Sequence, residues 1–360
     1  MKEIKMEAKG LFNVARKEFI DHLTSRKFIL ILALFLIISA VAMHQGIGDY
    51  NNRLEDYKGQ ISQVEEGELS YMPEKPSILI IFQRMRWQMP FLGAILAIAM
   101  GFDLITREKE SRSLKSLLSH PVYRDEIING KAVGGILALA FAVGIAFIIL
   151  FALLLLFSIV PSMDEFWRII LFGAVTVLCL LTYFSIALMA STVSKDSGRA
   201  LMYALIIVLA LSLAVPMIGG MVVKSVVGEP PERPEFQSRI EINVSGEVVR
   251  QYGPMNKEEN EEWERYYEEI EAYNDKKWAI QDAFDIILPE RNYMTVSMSL
   301  TNPYLTEVHS GSWSSSHTLG ETTSILESLE KVWKSIFALI ILPVVFFAIA
   351  YVKFMRMDIR

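Results

Sequence analysis

Residues 101–133 read GFDLITREKESRSLKSLLSHPVYRDEIINGKAV, a polar stretch caught between two long apolar runs. It carries Arg107, Glu108, Lys109, Glu110, Arg112, Lys115, Arg124, Asp125, Glu126 and Lys131. Leu114, Leu117 and Leu118, and beyond Pro121 Ile127 and Ile128, recur at three- and four-residue spacing, which predicts two short amphipathic helices. Pro121 fits the junction between them, because the residue before a proline is pushed out of the helical region. A mere connection between two membrane spans needs no such pattern. The stretch is therefore expected to be a docking element.

The flanking runs set the class of the protein. The chain has 360 residues, of which 52% are hydrophobic, and a mean hydropathy of +0.34. That composition belongs to an integral membrane protein. A bilayer core of about 30 Å takes about 20 mostly apolar residues in a helix. Six runs meet or approach that length: 28–43, 87–105, 132–160, 167–193, 200–223 and 333–352. The first is short and is completed by polar residues at its ends. It lacks a small-residue cleavage site and follows an amphipathic stretch, so it does not read as a cleavable signal peptide. The single cysteine, Cys179, rules out a disulfide within the chain.

Six spans place both termini on one side, and the distribution of Lys and Arg says which. With the N-terminus inside, segments 1–27, 106–131, 194–199 and 353–360 carry 18 Lys and Arg in 67 residues. The outside segments 44–86, 161–166 and 224–332 carry 15 in 158. The density differs nearly threefold, so the sequence predicts an N-in, C-in topology with the 106–131 loop in the cytoplasm. The expected fold is an all-α polytopic membrane protein of the cell membrane. It has an amphipathic N-terminal interfacial helix and a mixed α+β extracytoplasmic domain between spans five and six.

Along the chain, Phe12, Ala15, Phe19 and Leu23 form one helical stripe before the first span. This suits a helix lying in the inner interface, or one that simply orients the span behind it. Tyr50, Leu54, Tyr57, Ile61 and Val64 continue a helix out of the first span as far as Gly67. The run SILIIF at 77–82 fits a strand or a segment at the membrane surface, and periodicity leaves both open. In the third span Gly134, Ala138, Ala142 and Ala146 repeat every four residues. Such spacing allows close helix approach, first of all within one subunit. Pro216 and Pro343 fall inside the fifth and sixth spans, where a kink is expected.

Charge is nearly absent from the middle of the spans. Insertion did not demand this. The third span has 19 Ile, Leu, Val or Phe residues, each favouring insertion by roughly 0.3–0.6 kcal/mol, against roughly 3 kcal/mol for one central charge. The lack of charge argues against ion-coupled transport, proton relays and voltage sensing, which use intramembrane ionisable groups. It argues equally against an intramembrane hydrolase.

The outer segment 224–332 opens on GEPPERPEF. RIEINVSGEVVRQY then predicts a hairpin about Ser245-Gly246. Trp263, Tyr266, Ile270, Tyr273, Ile280, Phe284 and Ile287 mark a long amphipathic helix ending at Pro289. Eight glutamates lie between Glu258 and Glu271. They lack the turning glycine and spaced Asp or Asn of a calcium loop, so they read as a solvated face. Asn243-Val244-Ser245 matches the short glycosylation pattern. The 17 methionines pair with no His or Cys and read as membrane filler. No metal, directly bound cofactor or nucleic acid is expected.

No G-x-x-x-x-G-K-[ST] phosphate loop is present, so any ATP-driven work needs another chain. Glu108, Ser113-Leu114, Leu117-Leu118-Ser119, Pro121-Val122, Arg124, Glu126-Ile127 and Gly130-Lys131 fall in register with a known pattern. The segment resembles the cytoplasmic loop of ABC-2 type transporter permeases, between their second and third spans. The subgroup it is most like includes the permease of nitrous-oxide-reductase maturation. Arg112 stands where that family usually has glycine, which leaves the local turn open. The six-span plan and the ARKEF segment also match, so the resemblance covers the whole membrane part.

The resemblance implies a non-enzymatic half-transporter, a homodimer or a pair with a paralogous permease, driven by separate ATPase subunits that bind ATP and Mg2+. Efflux of a lipid, amphipathic peptide or other hydrophobic compound is the implied activity. The loop would be a coupling helix. Leu114, Leu117 and Leu118 would form its apolar ridge, framed by Ser113 and Pro121. Arg107, Glu108, Glu110, Arg112, Arg124 and Lys131 would supply register-fixing charge. On this reading Glu108→Lys with Leu117→Asp abolishes coupling and leaves folding intact. The plain alternative is a basic inner loop that only obeys the charge rule. A different class, a membrane scaffold or sensor with a ligand-binding outer domain, is distinguished by the lack of a neighbouring ATPase gene. The absence of an inverted repeat disfavours a secondary carrier.

Overall fold

The computed structural model describes residues 2–65, 73, 75–111, 123–234, 239–242, 248–251, 257–302, 305–309, 312–315 and 323–357. Arg112, Ser113, Leu114, Leu117, Leu118 and Pro121 lie outside the described residues, as does the pattern at 243–245. The chain is mostly helical, and six of its helical stretches are long and apolar enough to cross a membrane. It divides into two compact units, Met1–Leu213 with Ile286–Arg360, and Ala214–Asp285.

In the larger unit α1 (Lys2–Thr24) leads at Ser25 into α2 (Arg26–Glu65). The continuation of the first span into a long polar helix thus follows the spacing of Tyr50, Leu54 and Tyr57. SILIIF is not a strand. Ile78–Ile81 form a 3-10 turn, with Leu79 and Ile81 fully buried, and run straight into α3 (Phe82–Gly101). The turn is held from outside itself: Glu165 Oε1 accepts from Ser77 Oγ at 2.9 Å and from Ile78 N at 3.1 Å. After α4 (Thr106–Glu110) come α5 (Arg124–Leu156) and α6 (Met163–Val193). The start of α6 is a capping box, in which Ser162 and Glu165 each accept the other's backbone N–H. At α7 (Ser197–Leu209), Asp196 Oδ1 accepts from Arg199 N at 2.9 Å and so caps the first turn.

The small-residue row of the third span packs inside the chain. Ala138, Ala142 and Ala146 are buried. A Cβ on Gly134 would lie 2.7 Å from the Ala15 carbonyl oxygen, and one on Gly130 2.6 Å from Val14. These glycines let α1 lie directly on α5. Because the Gly134 neighbour is backbone, it cannot turn aside. Gly134→Val is expected to lift α1 and cost about 1–3 kcal/mol. Limited proteolysis checks this: cleavage within residues 10–24 should speed up at least severalfold.

Beyond α8 (Val215–Val226) and α9 (Lys257–Asp285) of the smaller unit comes α10, a helix that no apolar run in the sequence marks. Helix α10 (Pro289–Thr301) has 13 residues, about 20 Å of rise, too short for a bilayer core. Tyr293, Val296 and Leu300 are nonetheless fully buried, against α3, α6 and the last span. Most of its buried polar residues are satisfied within the helix, and Ser299 Oγ donates to Ser328 O at 2.7 Å. Ser297 Oγ donates to Tyr293 O at 2.6 Å, Thr301 Oγ1 to Ser297 O at 2.8 Å, and Asn292 Nδ2 to Leu288 O at 2.8 Å. The buried Arg86 of α3 donates to Thr301 Oγ1 at 3.3 Å, placing its charge at the negative end of the α10 dipole. Helix α11 (Ile325–Lys331) and the last span, α12 (Trp333–Met355), complete the unit. Strands β3 (Leu305–His309) and β4 (Ser312–Ser315) pair antiparallel.

In the smaller unit α8 follows a π-helical turn at Ala210–Ala214. That wide turn comes just before Pro216, whose ring removes a backbone donor and crowds the preceding turn. Helix α9 packs on α8, with the Phe284 ring 3.3 Å from where a Cβ of Gly219 would be. Strands β1 (Arg239–Ile242) and β2 (Val248–Gln251) pair antiparallel, with Ile242 opposite Val248. The described glutamates of α9 are exposed, apart from a half-buried Glu259.

Candidate functional site

Both ends of the 106–131 loop are anchored by its charged residues. Helix α4 follows the turn 102–105. Ser191 Oγ, at the end of α6, accepts from the N–H groups of Ile105 at 2.9 Å and Thr106 at 3.1 Å. Thr106 Oγ1 meets Ser197 Oγ at 3.0 Å. One buried threonine thus bridges the end of α6 and the start of α7.

The next residues extend that junction. Lys109 Nζ donates to the carbonyls of Ser191, Thr192 and Ser194 at 3.3, 2.8 and 2.9 Å. Helix C-termini leave carbonyls unpaired and carry partial negative charge, so an ammonium satisfies both demands. Glu110 performs the opposite task. Its carboxylate accepts from Ser197 N at 2.6 Å and Ser197 Oγ at 3.1 Å, at the positive N-terminus of α7. A lysine and a glutamate one residue apart therefore hold two oppositely facing helix ends.

Glu108 turns the other way. Its Oε1 lies 2.7 Å from Lys131 Nζ, which also lies 2.6 Å from Glu18 Oε1 of α1. The Lys131 side chain is 2% exposed. Two carboxylates on one buried ammonium leave a surplus negative charge joining α1, α4 and α5. Beside it Lys27 of α2 pairs with Asp103 and lies over the Phe102 ring at 4.8 Å. Across the loop, Arg124 Nη1 donates to the carbonyls of Met355 at 3.3 Å and Met357 at 2.9 Å, at the end of α12. Arg107 is exposed and enters no ion pair among the described residues.

The residues singled out in the sequence thus separate into groups. Glu108, Glu110, Arg124 and Lys131 are engaged within the chain. Arg107 is open to a partner. Arg112, Ser113, Leu114, Leu117, Leu118 and Pro121 lie outside the described residues. Glu108→Lys would place a second ammonium against Lys131 in a buried site, so it is expected to damage folding rather than test docking. That corrects the expectation from the loop pattern.

The N-terminal stripe also divides. Ala15 is 4% exposed, against 65% for Phe12. Phe19 meets Phe141 of α5 edge-on at 6.0 Å, and Leu23 packs against the core. Most of this stripe faces the protein, because Gly130 and Gly134 open a groove for it. Sequence reasoning passed over Glu18 and Ser191 and gave Lys109 no role. A carboxylate beside an apolar stripe, facing a lysine at the mouth of a span, was the available signal for Glu18.

Six membrane-length helices, with a charged loop bonded to the ends of several, define a multi-pass membrane protein. The chain matches the family model "ABC-2 family transporter protein" over residues 12–359, and it belongs to that family. Such permeases are in general not themselves catalytic and imply a partner ATPase. Among curated proteins, a "Probable ABC transporter permease protein NosY" of Stutzerimonas stutzeri is 30% identical over 137 residues. The match covers 38% of this chain and 42% of that protein, less than half of each.

Proposed function

We propose that this chain is the permease subunit of an ABC exporter in the cell membrane. On this reading the 106–131 loop and both termini face the cytoplasm, and the segment 224–332 lies on the extracytoplasmic side, with α10 packed back onto the spans. A separate ATPase binds ATP and Mg2+ and seats on the loop through Leu114, Leu117 and Leu118, with Arg107 at the rim. A second copy or a paralogous permease completes the transporter. The exposed apolar faces of α7 and α12, with Leu205, Ile206, Phe337 and Val344, suit such a neighbour or lipid. The cargo is a hydrophobic or amphipathic compound.

The observation that carries the reading is the bonding of α4. A displacement of residues 112–122 acts on Glu108, Lys109 and Glu110, and through them on α1, α5, α6 and α7. Because packed helices shift between discrete arrangements, a loop so attached can bias two states of the spans without chemistry of its own. Affinity purification in mild detergent from native membranes, with mass spectrometry and an ATPase assay, tests it. A stoichiometric Walker-A partner with vanadate-sensitive turnover is expected. Recovery of the chain alone, or with outer-surface proteins and no ATPase, would sink the proposal.

The relay makes a second expectation. Lys109→Met removes three charge-assisted bonds to the end of α6. Amide exchange over residues 189–194 should rise about 10–100-fold, from the loss of about 1.5–3 kcal/mol. Hydrogen-exchange mass spectrometry reads this directly, and unchanged exchange would mean that Lys109 holds nothing.

A further inference from the structure

Between α1, α2, α3, α4 and the first turns of α5 lies a cavity of about 260 Å³. One wall is apolar, formed by Phe28, Ile31, Leu96, Met100 and Leu104, while Lys17, Lys27 and Arg107 also line it. Two buried polar atoms of its lining residues, Glu108 Oε2 and His22 Nε2, have no hydrogen-bond partner among the described residues. The charges nearby do not cancel locally. Lys27 balances Asp103, and Lys17 balances Asp21, but Lys131 is shared by Glu18 and Glu108. One negative charge is left inside, and Arg107, at the lining, enters no ion pair among the described residues.

We propose that this cavity seats the headgroup of an amine-bearing phospholipid, its ammonium on Glu108 and His22 and its phosphate on Arg107. A primary ammonium offers three donors and no acceptor, which complements a carboxylate oxygen and an imidazole nitrogen that both lack a donor. Burial, and secondarily Lys131, lowers the pKa of His22 against the opposing pull of Glu18 and Asp103. The imidazole is thus kept neutral and able to accept. Ile29, Leu30 and Leu34 of α2 are exposed beside Phe28 and Ile31, so an acyl chain can leave the cavity along an apolar helix face. A metal ion is a poorer fit. Among the described residues no three His, Cys, Asp or Glu side chains are grouped to hold one. A soluble amine would leave the apolar wall unused. The proposal rests on the membrane placement of this chain and not on its transport activity.

Native mass spectrometry of the full chain in mild detergent tests the assignment, with equimolar short-chain phosphatidylethanolamine, phosphatidylcholine and phosphatidylglycerol. A choline headgroup cannot donate hydrogen bonds, and a glycerol headgroup carries no cation. Phosphatidylethanolamine should be retained about tenfold better than either, the worth of one charge-assisted hydrogen bond. His22→Phe should reduce that preference about 3–10-fold, and Arg107→Gln should weaken retention of all three lipids about 3–10-fold, because each carries the phosphate. Arg107 is exposed, so its variant keeps the test decisive if His22→Phe fails to fold. Equal retention of the three lipids, preference for phosphatidylglycerol, or phosphatidylethanolamine retention unchanged in Arg107→Gln would overturn the assignment. So would competition by soluble phosphoethanolamine as strong as by the lipid.

Discussion

Lys131→Met is expected to lower unfolding stability by about 3–5 kcal/mol, because it leaves the Glu18 and Glu108 carboxylates together in a buried site without their shared cation. In a detergent melt this corresponds to a fall in Tm of about 5–10 °C. A buried ion group is weak evidence of net stability, since desolvating the charges offsets much of their attraction. What costs stability is removing one member alone. The triple variant Lys131→Met, Glu18→Gln, Glu108→Gln should therefore recover most of the loss. A single variant that melts like wild type would show the triad to be incidental. A triple variant as unstable as the single one would show that lost packing, not charge, is responsible.

The second large effect concerns the partner. Leu117→Asp is expected to weaken binding of the ATPase subunit about 30–1000-fold, the range for a central apolar anchor made charged at an interface. The loss should come without a drop in Tm. Lys109→Met should behave differently. Its ammonium is bonded to the α6 carbonyls rather than exposed for contact, so affinity should stay within about threefold while cargo-stimulated turnover falls. Binding measured against an immobilised permease separates the two variants. If both lose binding equally, Lys109 belongs to the docking surface and the relay is wrong. If neither does, Leu117 is not the anchor.

The sequence made some of this legible and hid the rest for physical reasons. Apolar runs of membrane length leave a plain signal, and so does the row Gly134, Ala138, Ala142, Ala146, because close helix approach has few solutions. Helix α10 left none. Its Asn292, Ser297, Ser299 and Thr301 lower its hydropathy to that of a loop, although neighbouring carbonyls satisfy most of them within the buried helix. Ile78–Ile81 read equally well as a strand, since a short apolar run has no period of its own. In the loop, charge density was visible but not its direction. Lys109 and Glu110 look like any exposed pair until the ends of α6 and α7 stand beside them. Whether a charge faces a partner or a helix end is decided by residues some 80 positions away, which no local pattern carries.

The relay through Lys109 is tested most directly by hydrogen exchange on the assembled complex, comparing residues 189–194 with and without ATP and vanadate. The account predicts a nucleotide-dependent change there in the wild type that is absent in Lys109→Met, with the ATPase still bound in both. An α6 end insensitive to nucleotide in the wild type, or equally sensitive in the variant, would contradict it.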